Sequence, residues 1–175
     1  MIKKHDLNDA SEKEQIAAVR KDSRAIKYID NPSKKIQRLA IKKLRYHLEK
    51  HHTCVMAYIK NPSEEIQRLA VQQEGQSIHC IDNPSLKIQR LAIRQSCCAI
   101  TGIKNPSDEI QKLAIKRYKK TVRYKFIKNL SKKVQEWFIN LNRRNIFEIP
   151  TGQLDKQLAN KYRYLLSMRR AGILS

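Results

Sequence analysis

Apolar residues recur along this chain in a spacing that itself returns at a short interval. Ile66, Leu69 and Ala70 stand at i, i+3 and i+4, as do Ile36, Leu39 and Ala40, and Ile110, Leu113 and Ala114. That spacing puts each triplet on one face of a helix. An apolar pair precedes the next copy each time: Ile26 and Ile29, Met56 and Ile59, Ile78 and Ile81, Ile100 and Ile103. Such a pair fits a short helix of about one to two turns. No stretch alternates with strand period and only 4 glycines occur, so the pattern predicts an all-α chain.

Pair and triplet are joined by a written phrase, Asn-Pro-Ser-x-x-Ile-Gln-Arg-Leu-Ala. It runs over residues 31–40, 61–70 and 83–92, and over 105–114 with Lys112 in the Arg slot. A worn copy starts at Asn129 and ends in Trp137 and Phe138 where the others have Leu-Ala. The motif serines Ser33, Ser63, Ser85, Ser107 and Ser131 are separated by 30, 22, 22 and 24 residues. The unit is therefore 22 residues long, with an eight-residue insertion placed at 45–53. Ser11, followed in frame by Gln15, Ala18 and Val19, opens a degenerate first copy.

The expected architecture is a short α-solenoid of about six two-helix repeats, since units this small need neighbours to bury their apolar faces. The array covers 1–139, with repeats near 11–32, 33–62, 63–84, 85–106, 107–130 and 131–139, and a C-terminal helical cap covers 140–175. Within a unit the Asn-Pro step reads as the helix start, Asn capping and Pro in the first turn. Glu64 and Asp108, three residues further on, suit the positive helix end. In the cap, Asn142 to Asn145 reads as a polar break. Thr151 reads as the start of a last helix striped by Leu154, Leu158, Tyr162 and Leu165. Trp137 and Phe138 read as large core residues sealing the end of the array.

Charge changes the picture. There are 37 Lys and Arg against 16 acids, a formal net charge of +21. Residues 1–60 carry a net of +8, residues 61–100 a net of zero and residues 101–175 a net of +13. The stretch from Lys112 to Lys133 holds ten basic residues and no acid. Such an excess costs stability by self-repulsion and favours polyanionic partners. Arg38, Arg68, Arg90 and Lys112 repeat one cation per unit at one helical position. Lys116, Lys119, Lys120 and Arg123 fall at i, i+3, i+4 and i+7, and Arg117 and Lys125 lie beside them. These ten cations are the candidate phosphate contacts. Tyr118 is the candidate for stacking on a base, because Tyr124 and Phe126 fall on core slots. The repeated Gln15, Gln37, Gln67, Gln89, Gln111 and Gln135 read as structural bridges rather than contacts.

Other chemistry finds little support. There is no Gly-rich phosphate loop or nucleophile elbow, and the acids sit mostly at helix starts, so no enzyme is expected. Asp155 and Glu136 are the carboxylates a glycosylase would need, but nothing singles them out. His47, His51, His52 and Cys54, with His79 and Cys80 one repeat later, match no standard zinc spacing, so neither metal nor cofactor is expected. Cys80 shares the slot of Tyr28 and Tyr58 and reads as core. With Cys54, Cys97 and Cys98 it forms no disulfide framework. No apolar run approaches a membrane span and no secretory signal opens the chain, which places it in a reducing cytoplasm.

The repeat resembles a loosely described group of short helical-repeat proteins of phages and bacteria. Their units read like Tyr-Ala-Ile-x-Tyr-Ile-x-Asn-Pro-Ser-Glu-Glu-Val-Gln-x-x-Ala-Val. The match is closest from Met56 to Val71, through Tyr58, Ile59, Asn61 to Glu65, Gln67, Ala70 and Val71, and extends over about residues 11–139. The resemblance implies a HEAT-like solenoid and no particular activity. A phage-encoded member would act in the host cytoplasm, as a host-takeover or anti-defence factor.

The expected function is therefore non-enzymatic binding of nucleic acid, DNA or RNA, or of a nucleoprotein complex, through a basic face. The alternative is a protein-binding solenoid that inhibits a defence nucleoprotein. The near-neutral residues 61–100 would then face the protein target. Neither a membrane nor a small molecule is an expected partner.

Overall fold

In the computed structural model, which describes residues 7–43, 55–117, 127, 129–150 and 152–173, every long helix of the repeats starts one residue after its motif serine. The helices are α1 (Glu12–Lys21), α2 (Lys34–Lys43), α3 (Glu64–Gln73), α4 (Leu86–Gln95), α5 (Asp108–Arg117) and α6 (Lys132–Leu141). Short 3-10 helices alternate with them: η1 (Ser23–Tyr28), η2 (Val55–Tyr58), η3 (Gly75–Cys80), η4 (Cys97–Gly102) and η5 (Arg143–Glu148). Two further helices, α7 (Lys156–Lys161) and α8 (Arg163–Arg170), follow. The described residues contain no strand, so the chain is all-helical as expected. No described helix is long and apolar enough to cross a membrane. The insertion at 45–53 lies outside the described residues.

The helix start differs from the expected one in a way that explains the motif. The cap is the serine, not the asparagine. Ser85 Oγ accepts from Ile88 N at 3.4 Å and Ser131 Oγ from Val134 N at 3.2 Å. Asn61, Asn83 and Asn129 sit instead in the left-handed region, with φ of 49°, 48° and 57°. Asparagine is among the few L-residues that tolerate it. The next residue, Pro62 or Pro84, precedes the cap, where its missing N–H leaves no donor unpaired. Its carbonyl is then taken by the motif glutamine: Gln67 Nε2 donates to Pro62 O and Gln89 Nε2 to Pro84 O, each at 2.9 Å. Asn-Pro-Ser-x-x-x-Gln is thus one closed turn, and Gln37 and Gln111 close theirs in the same way. At the N-terminus Ser11 and Glu14 form a reciprocal capping box on α1, and Gln15 Nε2 bonds Ala10 O at 3.2 Å.

At their other ends α1, α3, α4 and α6 turn into the following 3-10 helix without a linker. Asp22 N–H donates to Ala18 O, closing α1, while its carboxylate accepts from Arg24 N and opens η1. Glu74 does the same between α3 and η3. Asn142 opens η5 likewise.

Burial follows the repeat. Ile36, Ile66, Ile88, Ile110 and Val134 are at most 1 % exposed. The alanines Ala40, Ala70, Ala92 and Ala114 are buried with them, as are Ile41, Val71, Ile93, Ile115 and Ile139. Phe138 fills the alanine slot of α6. The leucine of the expected triplet is only half-buried in α2 to α5, because it lies at the flank of the buried stripe. Cys80, Tyr28 and Tyr58 are also half-buried rather than core.

The chain divides into two units, Met1–Ile103 and Lys104–Ser175. In the first, α1 packs on α2, α2 on α3 and α3 on α4, while η1 packs on η2, η2 on η3 and η3 on η4. In the second, α5 packs on α6, α6 on η5 and α7 on α8. The repeat's bonding pattern carries on past residue 139. Gln135 Nε2 reaches Gln153 O at 2.8 Å, as Gln111 Nε2 approaches Asn129 O at 3.5 Å. Asp155, not Thr151, caps α7 by accepting from Gln157 N and Leu158 N, and Leu158 is buried in the isoleucine slot. Thr151 itself lies outside the described residues. The expected single C-terminal helix breaks at Tyr162, and Leu154 stands before it, so Leu158 is the one fully buried member of that stripe.

Candidate nucleic-acid interface

The repeated glutamines point inward. Gln111 and Gln135 are buried, and each spans two turns of backbone: Ser131 N donates to Gln111 Oε1 at 3.1 Å and Asp155 N to Gln135 Oε1 at 2.9 Å. Their amides are committed to the fold, as the sequence reading held.

The repeated cations point outward. Arg38 and Arg68 are exposed, and Arg90 and Lys112 are half-buried. In the first unit Arg38, Arg68 and Arg90 occupy the same position on consecutive packed helices. Their surroundings differ. Arg38 is ion-paired with Glu65 on the next helix. Both side chains are about half exposed, at 49 % and 47 %, so the pair is a surface one and contributes ~0–1 kcal/mol. The same register step from Arg68 arrives at Lys87, which is exposed. A cation thus stands where the preceding repeat has an acid.

In the second unit the step from Lys112 arrives at Lys133, again a cation for an acid. Lys112 Nζ and Lys116 Nζ, one turn apart on α5, lie over the Trp137 ring at 5.6 Å and 5.8 Å from its centroid. Trp137 is half-buried, in the flank slot that leucine holds elsewhere, so it does not seal the core as expected. Phe138 is the buried member of the pair. Lys116 and Arg117 are exposed at the end of α5. Tyr118, Lys119, Lys120, Arg123 and Lys125, and the packed candidates Tyr124 and Phe126, lie outside the described residues. Trp137, Lys133 and Lys87 were missed from sequence. The signal for them was the substitution pattern at two motif slots, not the motif itself.

The remaining candidates recede. Asp155 is a helix cap, and Glu136 is a half-buried residue of α6. His47, His51, His52 and Cys54 lie outside the described residues. His79 Nε2 is 3.1 Å from Thr101 Oγ1, and its ring lies against Gly102, where a Cβ would come within 2.8 Å. Among the described residues no group of three or more His, Cys, Asp or Glu could hold a metal ion. No protein-family model, curated protein or solved structure matches the chain.

Proposed function

We propose that this chain is a short α-solenoid of about six two-helix repeats with a C-terminal helical cap, and that it is a non-enzymatic protein gripping nucleic acid, free or within a nucleoprotein complex. The observation that carries the reading is the exchange of acid for cation between packed helices. Arg38 meets Glu65, but Arg68 is followed by Lys87 and Lys112 by Lys133. Adjacent like charges raise the free energy of the unbound protein, and a phosphate chain relieves that cost. Together with a net charge of +21, this favours a polyanion held by its backbone. Lys116, Arg117, Lys119, Lys120, Arg123 and Lys125 extend the same grip, and Tyr118 adds to it, whereas the motif step from Arg90 falls on an acid, Glu109, which sets Arg90 with Arg38. The spacing of Cys54, Cys80, Cys97 and Cys98 spells no disulfide framework, which suits a protein working in a reducing cytoplasm.

The test is fluorescence anisotropy with labelled single- and double-stranded DNA and RNA across ~50–300 mM salt. Affinity should fall steeply with salt. Arg68→Glu with Lys87→Glu should weaken binding strongly, whereas Arg38→Gln, whose charge is already paired, should change it little. Equal losses from both variants, or binding that is flat with salt, would refute the assignment and move the search to a protein target.

A further inference from the structure

One helix departs from its sisters at a single surface slot. Leu39, Leu69, Leu91 and Leu113 hold the half-buried flank of α2 to α5, and α6 carries Trp137 there. The adjacent Phe138, 2 % exposed, fills the core slot, and the indole takes the flank slot beside it. A large ring at a half-open position leaves aromatic surface outside. Around it the charge is positive: Lys112 and Lys116 lie over the ring, and Lys133 stands one turn before it on the same helix. Glu136 is the one acid of α6.

A purely structural reason for this arrangement is weak. An exposed cation–π contact contributes little, and the two lysines repel each other at i, i+4. A partly exposed indole whose covering lysines are flexible can, once they swing aside, hold a base by its face and the flanking phosphates by charge. A base inside a duplex has both faces covered by its neighbours, so only an unpaired strand offers one. We propose that Trp137, Lys112, Lys116 and Lys133 form a stacking site for single-stranded nucleic acid, with the indole on a base and the ammonium groups on adjacent phosphates. The proposal rests on the nucleic-acid reading above and adds the strand form and the contact that selects it.

The chain contains 1 tryptophan, so its emission reports this site alone. The full chain is titrated with an oligothymidylate, with a matched duplex and with heparin, following anisotropy and tryptophan emission together. The single strand is expected to quench emission with the same midpoint as the anisotropy change, and heparin, which has no bases, is expected to leave it largely unquenched. Trp137→Leu restores the residue of the four sister helices, so it should keep its helicity. It is expected to weaken single-strand binding about 5- to 100-fold while leaving duplex binding and the salt slope unchanged. Trp137→Phe should retain most of the affinity. Lys112→Gln with Lys116→Gln should lower the single-strand salt slope by about 1.4. Single-strand binding without quenching, quenching by heparin equal to that by the oligonucleotide, or equal losses of single- and double-strand affinity in Trp137→Leu would overturn the stacking site while leaving the general grip standing. Absence of binding to either form would remove both.

Discussion

Replacing Gln135 by alanine should destabilise the second unit more than any surface charge change. Its side chain is 2 % exposed and makes three bonds to backbone. Nε2 donates to Leu130 O and Gln153 O, both at 2.8 Å, and Oε1 accepts from Asp155 N at 2.9 Å. Truncation strands two carbonyls and one amide. Each unsatisfied buried group costs ~1–3 kcal/mol, but Gln153 is half-exposed and recovers part from water, so the expected loss is ~2–4 kcal/mol. Urea unfolding followed by circular dichroism reads the loss, and hydrogen exchange at the Asp155 amide reads it locally. The exposed Gln72→Ala is the control, expected within ~0.5 kcal/mol of the parent. Gln135→Glu keeps the shape but sets a carboxylate oxygen against two carbonyls. Its folded pKa should rise, so this variant should match the parent most closely in acid and lose stability as pH climbs above about 4.3. A loss below ~1 kcal/mol for the alanine variant, or a pH-independent glutamate variant, would refute the bridging role.

Two further predictions follow from the first unit. Gly75→Ala should cost ~1–3 kcal/mol in thermal unfolding, because a Cβ there would stand 2.8 Å from Ala92 O and 3.0 Å from Ser96 N, both backbone atoms. Gly152→Ala, with nothing within 4 Å, should be neutral; equal effects would show that the close approach is not limiting. Glu14 is held below the usual carboxylate range by the Ser11 hydroxyl and the Ser11 N–H, at 2.7 Å and 2.8 Å. A depressed folded pKa gives stabilisation that is present above the unfolded value and lost as pH falls through the folded one. Ser11→Ala should move the Glu14 titration upward by NMR, and an unmoved titration would rule out the box as its cause.

The helical class and the buried rows were legible because one apolar spacing recurs across all copies. Ile66, Ala70 and Val71 announce a face wherever they are met. The helix start was misplaced because Asn-Pro is the most conspicuous step, yet left-handed φ at Asn61 and Asn83 is invisible until the backbone is seen. The flank position of Leu69 could not be told from core by period alone, and Trp137 inherited that error. The Arg38–Glu65 pair spans 27 residues, across the insertion, so its register needed the packed helices. The continuing pattern after residue 139 was hidden by Asp155 standing where a serine is expected.

Near-identical repeats carry a hazard that their polar flanks address. The buried isoleucines and alanines of α2, α3 and α4 are interchangeable, so nothing in the apolar interior tells a helix which sister to settle on. Ser33 Oγ donates to Glu12 across the first step, Arg38 pairs with Glu65 across the second and Ser85 Oγ donates to Glu64 across the third. If α4 were to settle on α2, Ser85 would meet Lys34 and Arg38 would meet Lys87, and both bonds would vanish. Small exposed pairs of this kind add little to the correct stack, but they penalise the wrong one, which is how specificity is written into a repetitive chain. They act as address labels, and shuffling those few surface residues should produce swapped or misordered assemblies before it produces an unfolded protein.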